Sequence, residues 1–206
     1  SEQSTKSPSI SQYADDLIAL ISLLSINQVI PVGLSIGGLI AQELYRKRPD
    51  MVEKLVLTNT ATVIGSRDSW NQRIQAVERN GLASISDLIL SRWFGSGFAD
   101  KNPDRLAIAR AILLQTSNSG YMAACQALSN ADLTAFAPNI EVPTLCIAGA
   151  DDQATPTDVV IAMANLIPKS EFYELSGVGH IPCLEAEQEF SQVILNFLGK
   201  SAGADS

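Results

Sequence analysis

Residues 29–42 read VIPVGLSIGGLIAQ, an apolar run that ends in Gly-Leu-Ser-Ile-Gly-Gly and passes at once into a helical pattern. A serine at such a junction, with glycines two residues to either side, fits a sharp strand-to-helix turn that lifts the Ser35 hydroxyl above the end of a sheet. The turn is crowded, so its flanking positions are expected to be small, hence Gly33 and Gly37; Gly38 lets the helix approach the strand. The helix N-terminus beside Ser35 favours negative charge developing there. The G-x-S-x-G spacing by itself is a weak signal, because a plain tight βα turn can use it too. Its position, closing a strand and opening a helix, is the context a serine nucleophile needs.

The flanking segments extend the pattern. SISQYADDLIALISLL places Ile10, Tyr13, Ala14, Leu17, Ile18, Ile21 and Leu24 at helical spacing. Ser9 and Gln12 fit a capping box at its start. QVIPVGL reads as a short buried strand weakened by Pro31. GGLIAQELYRKRP reads as a helix with three cations near its end, stopped by Pro49. EKLVLTNT, VPTLCIAGA and SEFYELSG read as further strands. TPTDVVIAMANLIP reads as a helix with Thr155 as N-cap and Pro156 at its first position. EAEQEFSQVILNFLGK closes the chain as a helix, ahead of a flexible tail over 201–206.

Strands alternating with helices predict an α/β fold built on a parallel sheet with crossover helices. The alternation stops between about residues 62 and 137. There SWNQRIQAVERN, LASISDLILSRWF, PDRLAIARAILLQT and GYMAACQAL all read as helices. The division expected is a core over 1–61 and 138–200 with an inserted all-helical cap over 62–137.

The chain has 206 residues, 46% hydrophobic and 17% charged, with a net charge of −8. That suits a globular protein with a sizeable core and argues against a nucleic-acid partner, which needs a basic face. No apolar run reaches membrane-spanning length, so no membrane partner is expected. The opening SEQSTKSPS is polar and lacks the apolar stretch of a secretory leader, which points to the cytoplasm. Cys125, Cys146 and Cys183 are odd in number and lack metal-site spacing. They are expected to be unpaired buried thiols.

A serine nucleophile needs a base, and the base needs an orienting carboxylate. The chain has one histidine, His180, in SGVGHIP after the last strand. Asp151 and Asp152 both follow the third strand, on the same sheet edge. The order Ser, Asp, His is that of α/β-hydrolases.

Taken together, VGLSIGGLIAQ, LVLTNTA, RWF, GY with ACQAL, PTLCIAGADDQATP and GHIPCLE resemble the 3-oxoadipate enol-lactonases of the α/β-hydrolase superfamily, over nearly the whole chain. The elbow, Asp loop and His loop are superfamily-wide; the cap pieces LSRWFGSGF and GYMAACQALSNADL are more discriminating. The family's G-x-x-D-x-x-T-P loop, laid on Gly149, Thr155 and Pro156, implies Asp152 as the catalytic carboxylate. The resemblance further implies Ser35 as nucleophile, His180 as base, the Ile36 backbone N–H in the oxyanion hole, and Leu34 and Trp93 at the substrate pocket. Trp93 could equally be a cap-core aromatic. The implied reaction opens 3-oxoadipate enol-lactone to 3-oxoadipate in bacterial breakdown of aromatic compounds, the β-ketoadipate pathway. It needs no metal and no cofactor. The lactone carries a carboxylate, so a cap cation should meet it, and Arg67, Arg73 and Arg92 are the candidates.

One departure from the family lies at the front. The chain runs directly into the helix at Ile10, without the strands and His-Gly loop expected to supply the second oxyanion donor. It reads as the C-terminal portion of a longer enzyme, poorly active alone, with an exposed sheet edge open to self-association or to pairing with an N-terminal part. Competing readings are an esterase or perhydrolase of the same layout, and an inactive fragment serving as an interaction surface.

Overall fold

A computed structural model describes residues 9–200; the tail expected over 201–206 lies outside the described residues. Four strands, β1 (Val32–Leu34), β2 (Leu55–Thr58), β3 (Thr144–Gly149) and β4 (Ser170–Leu175), form one parallel sheet in the order β1-β2-β3-β4. The register sets Leu34 beside Thr58, Thr58 beside Ile147 and Ile147 beside Tyr173. All four strands therefore send their following loops to one edge of the sheet.

β1 is shorter than the apolar run around it suggests. Pro31 has no N–H to give to a ladder. Val29 makes only an isolated bridge to Val52, and pairing resumes at Val32. Among the described residues β1 is an edge strand, and Val32 is exposed.

Helix α1 (Ile10–Leu23) starts at Ser9, whose Oγ accepts from the Gln12 N–H at 3.2 Å. Only this arm of the expected capping box forms. The Gln12 side chain accepts from the Ser9 hydroxyl instead of reaching the Ser9 backbone. α2 (Ile36–Lys47) follows β1 directly.

Between β2 and β3 lie α3 (Arg67–Asn80), α4 (Ser86–Trp93), α5 (Phe98–Lys101), α6 (Pro103–Gln115) and α7 (Asn118–Ser129), with no strand among them. After β3 come α8 (Thr157–Leu166), β4, the one-turn α9 (Pro182–Glu185) and α10 (Glu187–Gly199). Thr155 does not cap α8. Pro156 occupies that position, and the Thr155 hydroxyl bonds to Asp152 instead.

Strand alternation divides the core. Leu55, Leu57, Cys146 and Ala148 face α1, α2 and α8 and pack on Leu44, Val160 and Met163. Val56, Leu145, Ile147 and Leu175 face the other way, against Phe197 of α10. Burial pushes the Cys146 thiol up to about 12, so it acts as a packing residue. Cys125 is also buried, but Cys183 is exposed, against expectation: it belongs to the one-turn α9, which buries Pro182 and leaves Cys183 on its outer side. The helices between β2 and β3 have their own apolar cluster, with Val77, Ile89, Leu90, Phe94, Phe98 and Leu113.

Candidate active site

Ser35 sits between β1 and α2 with φ 55° and ψ −121°, a conformation that L-residues rarely adopt. Its N–H donates to Thr58 O at 3.1 Å, and its carbonyl accepts from Thr60 Oγ1 at 2.7 Å, so the end of β2 and the residues just after it hold the strained turn. Gly33 is needed for space: a Cβ there would lie 2.4 Å from Gly37 O. Gly38 is too, since a Cβ would meet Thr60 at 2.4 Å. Gly37 differs from expectation. A Cβ at Gly37 would touch nothing within 4 Å, because that side of the turn opens onto an apolar groove along β1.

Asp152 and His180 meet from the loops after β3 and β4. His180 Nδ1 lies 2.7 Å from Asp152 Oδ2, and both side chains are buried. Thr155 Oγ1 and Asn59 Nδ2 donate to the same Oδ2 at 2.6 and 2.9 Å, while Oδ1 accepts from the N–H groups of Ala154 and Thr155. Burial by itself raises the Asp152 pKa. The bonds from His180, Thr155 and Asn59 together outweigh it and hold the carboxyl below its ordinary value. With Nδ1–H directed at an ionised carboxylate, Nε2 is left as the basic nitrogen. Asp151 faces elsewhere, accepting from the N–H and hydroxyl of Ser96. Geometry thus separates two neighbouring aspartates that the residues alone left open.

The His loop is held against the C-terminal end of α4 and the residues that follow it. His180 N–H donates to Trp93 O at 2.7 Å, and the two rings stack with centroids 6.4 Å apart. A Cβ on Gly179 would lie 2.5–2.7 Å from the Trp93–Gly95 backbone, so only glycine allows this approach. Glu185 secures it from α9, accepting from the N–H groups of Gly179, Ile181 and Gly95.

Ser35, Ile36, Trp93 and His180 all line one cavity of about 200 Å³. No hydrogen bond joins Ser35 to His180 here; such bonds commonly tighten only with substrate. Ile36 opens α2, so its N–H belongs to the first turn, which has no intrahelical acceptors. Leu34, expected at the pocket, is not among its lining residues. It ends β1 half-buried, and the elbow turns the next two residues into the cavity instead. Of the three arginines, Arg67 is exposed at the start of α3 and away from the cavity, while Arg73 and Arg92 line it. Arg92 is engaged by Gln153 O through two N–H groups. Arg73 stacks over Trp70 and donates to Tyr121 Oη, with no ion pair among the described residues.

Asn59 is a site residue that the sequence does not mark by any motif. Its only signal was its place at the end of the second strand, in LTNT. No group of side chains suited to hold a metal is found among the described residues, and no helix there is long and apolar enough to cross a membrane.

A parallel sheet with a strained serine elbow and a buried Asp–His pair at its C-terminal edge is the layout of an α/β-hydrolase fold. Residues 1–187 match the family described as alpha/beta hydrolase fold, and the chain belongs to it. It is 34% identical over 185 residues to 3-oxoadipate enol-lactonase 2 of Acinetobacter baylyi, covering 90% of this chain and 69% of that protein. The crystal structure of the enol-lactonase from Burkholderia xenovorans LB400 superposes with a TM-score of 0.91 at 31% identity, over 97% of this chain and 77% of that one. A pimeloyl-[acyl-carrier protein] methyl ester esterase from Chromobacterium violaceum is 29% identical, over 95% of this chain and 80% of the esterase. By family the chain is an ester hydrolase.

Proposed function

We propose that the chain's site opens 3-oxoadipate enol-lactone to 3-oxoadipate, with Ser35 as nucleophile, His180 as general base and acid, and Asp152 as its orienting carboxylate. The observation that carries the reading is the cavity's content: Ser35 and His180 share it with Arg73, a guanidinium that has no acidic partner among the described residues. A small lactone bearing a carboxylate suits that arrangement. An arginine next to aromatic rings is a good carboxylate receptor, because its planar donors are weakly hydrated and held in place. The similarity to proteins named enol-lactonases supports the same substrate.

In this mechanism His180 Nε2 takes the Ser35 proton as Oγ attacks the lactone carbonyl. The Ile36 N–H donates to the resulting oxyanion. Collapse breaks the bond to the ring oxygen, which leaves as an enol with the proton carried by His180. The enol becomes the ketone. Water, giving its proton to His180, then releases the acyl group as a carboxylate and restores Ser35. Asp152 holds the imidazole tautomer and stabilises the imidazolium throughout. No step calls for a metal or organic cofactor. The reaction belongs in the cytoplasm of a bacterium degrading aromatic compounds.

The test compares the enol-lactone with neutral p-nitrophenyl acetate. Ser35→Ala should remove turnover of both, by about 10⁴-fold or more. Arg73→Ala should raise KM for the lactone about 10–100-fold, the worth of a charge-assisted pair, and leave the neutral ester unchanged. Equal effects on the two substrates would remove the argument for an anionic substrate. The similarity to a methyl ester esterase, with a wall of Ile36, Ile64, Trp70 and Leu128, favours a neutral ester in that event.

A further inference from the structure

Asn59 has an unusual combination of features. It lies just past β2 with φ 47°, a left-handed conformation that Asn, Asp and Gly tolerate best. It is fully buried, and its N–H is tied to Ile147 O of β3 at 2.8 Å. Both amide protons of its side chain are spent on the site: Nδ2 donates to Asp152 Oδ2 at 2.9 Å and to Gly179 O at 3.1 Å. Oδ1 accepts from Thr58 Oγ1 at 2.8 Å. The amide cannot be turned over, because Oδ1 would then face a carboxylate and a carbonyl.

We propose that Asn59 is a positioning residue that couples the Asp152 loop to the His180 loop and, by taking a share of Asp152 Oδ2, limits how strongly that oxygen holds the imidazole. Oδ2 serves three donors, and each one spreads the negative charge that the others feel. Without Asn59 the charge falls on His180 Nδ1–H and Thr155 Oγ1 alone. The imidazolium is then better stabilised in the resting enzyme, and the base stays protonated to higher pH. The carbonyl just before His180 also loses its anchor, so the ring is less well aimed.

The other groups around His180 are fixed in this comparison. Asp152 faces Nδ1. Ser35, Arg73, Arg92, Tyr121 and Cys125 line its cavity, and Glu185 accepts from the backbone on either side. None of them contacts Asn59 in a hydrogen bond except Asp152.

The chain's single histidine makes the test direct. Histidine labelled with ¹³C is titrated by NMR in wild type, Asn59→Gly and Asn59→Asp, with thermal unfolding as a control. Both replacements tolerate the left-handed backbone. The His180 midpoint should move to higher pH by about half a unit to one unit in Asn59→Gly. It should move further in Asn59→Asp, which sets a second carboxylate against the imidazole's partner. The acid limb of kcat/KM on any hydrolysed ester should follow, with KM nearly unchanged. Midpoints that coincide with wild type in folded variants overturn the proposal. Loss of folding in both variants overturns it as well, by giving Asn59 a structural role. The inference rests on the Asp152–His180 pair and not on the lactone, so the NMR result stands whatever the substrate assay returns.

Discussion

Single residues explain why Asp152, and not Asp151, meets the histidine. Asp152 Oδ1 is anchored by two backbone N–H groups of its own loop, which aims Oδ2 at His180, while Asp151 points out to Ser96. The carboxyl of Asp152 is held below its ordinary value of 3.8, against the pull of burial, by His180, Thr155 and Asn59. A lowered folded-state value means that the ionised group stabilises the fold above the unfolded value, and that this support is lost as pH falls through the folded one. The stability gap between wild type and Asp152→Asn should therefore be widest above about pH 5 and shrink on acidification. Urea unfolding of both proteins at several pH values measures it, and a gap independent of pH would contradict the assignment. The Ser-Asp-His order was legible in the chain because each residue follows a strand with little sequence in between. The choice of Asp152 came from the spacing to Thr155 and Pro156 in a family-like loop. Asn59 was not legible, since an asparagine at a strand end usually makes a turn, and only the fold shows where its amide points.

Among the elements, the junction of β1 and α2 gives the sharpest contrast. The motif treats its two glycines alike, but their surroundings differ. Gly33 faces the backbone of Gly37 and Gly38, which cannot move without shifting α2, so Gly33→Ala should destabilise by about 1–3 kcal/mol. Gly37 lies in the first turn of α2 with open space beside it. Gly37→Ala should be neutral or stabilise by up to about 1 kcal/mol, the helix-propensity difference. Thermal unfolding of the two variants distinguishes them, and equal losses would mean that strain in the turn, not contact, sets the requirement. The long helices and the buried strands were readable from apolar spacing, because their periods are properties of the backbone. The short pieces were not. A proline cut β1 to three residues, and Thr155 gave up the helix cap for a buried carboxylate.

Across the whole molecule, the site is assembled from distant parts of the chain: the elbow, the strand-end Asn59, the loop after α4, the Asp loop and the His loop. Glu185 ties two of these together, joining the His loop to Gly95 through three backbone N–H groups. Burial holds its carboxyl above the ordinary 4.5, with a smaller push from the Asp152 charge, and those N–H bonds offset only part of the rise. Glu185→Ala leaves the three donors without it, at a cost of about 1–3 kcal/mol, and should speed hydrogen exchange at Gly95, Gly179 and Ile181. Exchange there at the wild-type rate would show that the Trp93–His180 contacts hold the loop unaided. The alternation of strands and helices and the elbow could be read from order and spacing, because they depend on local backbone geometry; His180 stood out as the single histidine, while Asp152 was set apart from Asp151 only by the family resemblance. Which arginines line the cavity, which glycines are sterically required and which buried amide supports the carboxylate depend on approaches of a few ångströms between segments as far apart as Asn59 and Gly179. Local pattern does not encode such distances; packing of the whole chain sets them.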